Sequence, residues 1–89
     1  MGHKYVTAAG SVYVGTGILK SVVASPQGNG CVSAHVTLYN ATAATATKEI
    51  MFMYCGSAPK TVSWNCYTGI EFGNLWCVPN CAIVTVVWD

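Results

Sequence analysis

The chain has 89 residues, a formal net charge of +1, 53% hydrophobic residues and only 8% charged ones. That length makes one domain burying about 60–65% of its unfolded surface, and the charge content is about a third of the usual share, so part of the surface is expected to be covered by partners. Four scattered lysines and no arginine argue against a nucleic-acid binder, which needs a clustered basic face, and no apolar run is long enough for a membrane-spanning helix.

Residues 1–9 are short on apolar content and carry His3 and Lys4. They read as an N-terminal arm, ordered only if it pairs with something, ahead of a single domain over residues 10–89. The arm is expected to be dispensable for folding and needed for attachment to a partner. It contains no hydrophobic signal core, so synthesis in a cytoplasm without a signal peptide is expected. Ser11–Val14 is a short β-rich run between Gly10 and Gly15. Gly17 opens a second strand, Ile18–Ser25, which Pro26 stops. Gln27-Gly28-Asn29-Gly30 supplies a turn, because Asn-Gly favours the positive φ of hairpin turns.

Cys31–Asn40 is the clearest strand. Val32, Ala34, Val36 and Leu38 fall on one face; Ser33, His35, Thr37 and Tyr39 fall on the other. That period of two fits a strand with one buried face. Extended over roughly 33 Å, it is read as the strand on which the others pack. Ala41–Thr47 is all alanine and threonine and reads as a loop. Glu49–Cys55 is apolar on both faces, so it is either central or covered by a partner. Gly56–Lys60 is a turn. Thr61–Tyr67 alternates, with Val62, Trp64 and Cys66 on one face. Gly69–Val78 is expected as two strand pieces around a kink at Gly73-Asn74, and Val78–Cys81 as a turn. Ala82–Trp88 closes the chain, again apolar on both faces. Seven to eight strands at about ten-residue spacing predict an all-β fold, an antiparallel, jelly-roll-like β-sandwich. Its candidate core residues are Val32, Val36, Leu38, Trp64 and Ile83.

The order of these signals resembles small β-sandwich virion proteins of tailed bacteriophages, of the decoration, cement or head-tail type. Gly17-Ile18-Leu19-Lys20-Ser21-Val22-Val23 resembles their opening strand. Val36-Thr37-Leu38-Tyr39-Asn40 resembles their valine-threonine-leucine-tyrosine segment. Gly73-Asn74-Leu75-Trp76-Cys77-Val78 and Val84-Thr85-Val86-Val87-Trp88 are similar to their late and terminal strands. The resemblance covers residues 11–88. It departs from the family pattern in the five cysteines and in the final Trp88-Asp89. It implies a non-enzymatic structural protein of the virion, most simply a capsid decoration or cement protein. Its partners would be its own copies, with a trimer favoured, and a major capsid or other virion protein. A neck, tail or fibre component is the alternative.

Some residues invite a chemical reading. Five cysteines leave at least one thiol free or intermolecular. Cys77 and Cys81 flank an expected turn, as do Cys55 and Cys66, and Cα atoms about 5.5–6 Å apart would permit a disulfide in either pair. Small buried thiols are the competing reading, and no closely spaced pairs favour a zinc site. Ser33, His35 and Glu49 lack any nucleophile-elbow motif, and Glu49 with Glu71 is an equally thin glycosidase pair. Trp64, Trp76 and Trp88, with Tyr13, Tyr39, Tyr54 and Tyr67, would make either a sugar-stacking platform, as in a carbohydrate-binding module, or core and interface. No catalytic residue, cofactor or metal is expected.

Overall fold

β-Branched and aromatic residues alternating with small polar ones favour strands, and strands dominate the chain. The structure, a computed structural model, describes residues 2–28, 30–57 and 60–89. Among the described residues it is all-β, with 74% strand and no α-helix. The six strands are β1 (Gly2–Val6), β2 (Gly10–Pro26), β3 (Ala34–Tyr39), β4 (Glu49–Gly56), β5 (Val62–Asn80) and β6 (Ala82–Trp88). They form one antiparallel sheet in the order β1-β6-β2-β5-β3-β4. The loop after β3 ends in a single 3-10 turn, Ala46–Lys48. The expected turns at Gln27–Gly30 and Gly56–Lys60 contain Asn29, Ala58 and Pro59, which lie outside the described residues.

Six strands replace the expected seven to eight because the anticipated breaks in β2 and β5, the kink at Gly73-Asn74 included, are not breaks, while the expected arm adds β1. Ser11–Val14 and Ile18–Ser25 merge into the 17-residue β2; Thr61–Tyr67 and Gly69–Val78 merge into the 19-residue β5. Glycines that looked like strand ends sit instead near bulges. The β2–β5 register shifts between Val14 and Gly17 and again between Leu19 and Ser21. Gly69 has φ +74°, and a Cβ there would meet the Leu19 carbonyl oxygen at 2.6 Å, so only glycine fits without displacement. Nineteen straight residues would span about 60 Å. The longest dimension of the molecule is 36 Å, so the β2–β5 ribbon bends.

The bend gives each end of the ribbon its own neighbours. Leu19–Pro26 of β2 pairs with β6, whose other side carries β1. Trp76–Asn80 of β5 pairs with β3, whose other side carries β4. The run expected to organise the fold is therefore shorter than Cys31–Asn40 and lies one place from an edge, while β2 and β5 are central. The expected arm is the edge strand β1, paired with β6 from Gly2↔Trp88 to Val6↔Val84.

Leu19, Val22, Val36, Leu38, Leu75, Val84 and Val86 are fully buried. Three expected core residues are not. Val32 is 67% exposed because the strand begins only at Ala34. Ile83 is half-buried and outward, opposite Ser25, because Ala82, Val84 and Val86 take the inward positions. Trp64 is half-buried and packs at the margin of the core.

The disulfide joins Cys31 to Cys81, with Cα atoms 5.8 Å apart, and not the pairs flanking the expected turns. Cys77 lies inside β5, four extended residues or about 13 Å from Cys81, and faces the core. Cys55 ends β4, which does not pair with β5, the strand of Cys66. Cys81 has φ 57°, a left-handed corner at which the chain leaves β5, paired to β3, for β6, paired to β2. Cys31 lies where the chain passes from β2 to β3. The disulfide thus ties the two places where the chain changes ends of the ribbon. Gln27 reinforces the corner: its backbone N–H donates to Cys81 O at 2.9 Å, and its Nε2 donates to Ala82 O at 3.0 Å and Thr7 O at 3.1 Å.

Candidate interaction surface

Period-two alternation puts every second residue of each strand on the outer side, and the register decides which of them become neighbours. Over β1, β6, β2 and β5 one row runs Tyr5, Thr85, Val23, Ser63, and the next runs His3, Val87, Ser21, Asn65. This face is four strands wide and carries no aspartate, glutamate, lysine or arginine in either row. Tyr5 is 63% exposed. These residues come from four separated runs of sequence, so only the register could have brought them together.

The other end of the ribbon carries an aromatic outer face. One row runs Phe52, Thr37, Val78; the row on one side runs Tyr54, His35, Asn80, and on the other Glu49, Tyr39, Trp76, Ser11. The His35 and Phe52 rings lie 5.4 Å apart. Phe52 and Tyr54 are more than half exposed, whereas Thr37 between its neighbours is 9% exposed. Of the aromatics read as a platform, Tyr39, Tyr54 and Trp76 share this face. Tyr13 and Trp88 stack with each other elsewhere, 5.4 Å apart, and Tyr13 meets Phe72 edge-on at 6.3 Å. Tyr67 stands apart, its carbonyl accepting from Lys20 Nζ at 2.7 Å. His35 joins Tyr39 there as the alternation of β3 predicted, whereas Phe52 joins the face unforeseen, because β4 read as apolar on both sides and gave no hint of its outer one.

The candidate chemical groups are dispersed. His35 Nδ1 lies 2.8 Å from the Ser33 carbonyl oxygen, not its hydroxyl. Glu49 pairs with Tyr39 at the far end of β3, so Ser33, His35 and Glu49 form no relay. Glu71 lies opposite Ile18 on β5, apart from Glu49 on β4. Glu71 and Asp89 line a groove of about 610 Å³ with Thr16, Ile18 and Asn40. Asp89 is held there by a backbone pair with Ile18 at 3.0 and 2.8 Å. No three His, Cys, Asp or Glu side chains gather as metal ligands among the described residues. Burial pushes the Cys77 thiol up to about 12 and raises that of Cys55. Cys66 is lowered by the Thr68 hydroxyl and then by the Gly69 N–H, both 3.4 Å from its sulfur.

Compared with known proteins, the chain matches no family model, and neither a curated protein nor a solved structure matches it significantly. The likeness to phage virion proteins rests on the quoted residues alone.

Proposed function

We propose that the chain is a non-enzymatic structural protein of a bacteriophage particle, a decoration or cement protein that binds its own copies and a major capsid protein. The observation that carries this reading is the pair of charge-free outer rows that cross β1, β6, β2 and β5. Uncharged polar and apolar side chains lose little when desolvated and gain by burial against another protein. The resemblance favours three copies grouped at a capsid three-fold site. In this reading the two ends of the ribbon pack as the layers of a sandwich. In support, the least dimension of the molecule is 19 Å, about twice the 10 Å spacing of packed sheets. The disulfide suits a protein that works outside a reducing cytoplasm.

Counting copies in the purified particle tests the reading. Many copies per particle are expected of a decoration protein. A few would move it to the neck, tail or fibre, and none would end the virion reading. A second reading, a carbohydrate-binding module, is favoured by the face shared by Tyr39, Phe52, Tyr54 and Trp76, and a glycan array tests it directly.

A further inference from the structure

The two edges of the sheet are built differently. β1 is five residues long and carries His3 and Lys4, whose Nζ donates to Ser11 O at 2.8 Å. Short length and a lysine are the usual guards against strand addition. β4 is eight residues long, pairs only with β3 among the described residues, and has no lysine or proline; its single charge, Glu49, stands at its start. Its register to β3 shifts near both ends, at Ile50 and at Cys55, so its regular unguarded stretch is Met51–Tyr54. Its outer side chains Phe52 and Tyr54 are 53% and 56% exposed.

We propose that β4 pairs antiparallel with β4 of a second copy, extending the sheet through a two-fold axis near Met53. This rests on the oligomer reading above and names one of its contacts. The occupant follows from the strand itself. Centred on Met53, the pairing sets Phe52 opposite Tyr54 of the other copy twice over, within the regular stretch of the strand. Aromatic cross-strand pairs stabilise such ladders. Glu49 begins β4, so in an antiparallel pair the two copies' glutamates sit at opposite ends. The guarded β1 edge disfavours β4-to-β1 stacking, which would give open fibres, and leaves a closed two-fold contact. The His35–Phe52 stack makes the aromatic faces of the two copies continuous. The charge-free rows stay open for the contacts of a trimer or a shell.

Sedimentation equilibrium over a range of concentrations, on the oxidised full chain, provides the test. The variant Phe52→Lys with Tyr54→Lys places lysine opposite lysine at both pairs. Its circular dichroism should stay that of a folded β protein, because both side chains are outward. Its self-association should weaken by at least about tenfold, since like charges set opposite each other at an interface are costly. Mixing it with the variant Phe52→Glu and Tyr54→Glu should restore a heterodimer, which a merely structural role would not do. Wild-type association unchanged in the lysine variant overturns the β4 contact while leaving the oligomer reading intact. A wild type monomeric throughout overturns both, and particle incorporation then still tests the virion reading. Loss of incorporation by the lysine variant of a monomeric wild type would mean that the edge takes a capsid strand and not a second copy.

Discussion

Thr37 and Leu38 are adjacent, and their side chains leave β3 on opposite sides. Leu38 is fully buried, so Leu38→Ala should cost about 2–5 kcal/mol. Thr37, on the face expected to meet solvent or a partner, is 9% exposed, between its row neighbours Phe52 and Val78. Thr37→Ala should therefore exceed the roughly 0.5 kcal/mol of a surface change and reach about 1 kcal/mol. Denaturant melts of both variants check the order, and a larger loss for Thr37→Ala would contradict the assigned faces. Cys77 makes a prediction in pH. Its thiol titrates near 9.0 when free and is pushed up to about 12 by burial. Below the free value both states keep the proton, and stability is full. Above it the unfolded chain releases the proton first, so stability falls as pH rises. From pH 8 to 10 the loss attributable to this group is about 1.4 kcal/mol. Cys77→Ala should lose that much less than the wild type over the same interval, and equal slopes in denaturant melts would refute the burial. At this scale the sequence was a partial guide. Alternation placed Val36 and Leu38 inward, but it also carried Val32 inward, because period alone does not say where a strand begins. The bridge from Cys31 belongs to a crossing between strands, which no local pattern marks.

Strands were legible from alternation, and their lengths were not. Glycine reads as punctuation in a sequence, yet Gly15, Gly17 and Gly69 lie inside strands that continue through them. A bulge and a turn demand the same backbone freedom, so the residue cannot tell them apart. The candidate faces were hidden for a related reason. Each is a set of rows across strands, and a row exists only once the register is known. β1 shows the consequence for an element. Residues 1–9 looked dispensable, but Val6 is buried and β1 covers the edge of β6. Deleting residues 1–6 should cost about 1.5–3 kcal/mol through Val6 alone. It should also bare the edge of an apolar strand, inviting aggregation. Thermal melts and light scattering of the truncated chain check this; an unchanged melting temperature would show that the rest of the fold does not depend on β1.

For the whole molecule, the problem is to hold two ends of one bent ribbon together in a chain of 89 residues. A chain of this size buries a modest share of its surface, and its total stability is about 5–15 kcal/mol. The Cys31–Cys81 bridge closes a loop with a sequence separation of 50. In the chain-entropy picture a loop of that length stabilises the folded state by about 4 kcal/mol. Such a term is a large fraction of the total, so the reduced chain should be marginal and the oxidised one sturdy. The double variant Cys31→Ala with Cys81→Ala should lose about 4 kcal/mol in denaturant melts, and dithiothreitol should lower the wild type by a similar amount without affecting the variant. The singly changed Cys77→Ala and Cys66→Ala should keep their sensitivity to reductant, since neither thiol is bridged. A wild type indifferent to dithiothreitol would mean that burial around Leu19, Leu38 and Leu75 suffices without the staple. If the loss appears, assembly acquires an order: the chain folds loosely while reduced, and the corner at Cys81 locks once the protein meets an oxidising medium.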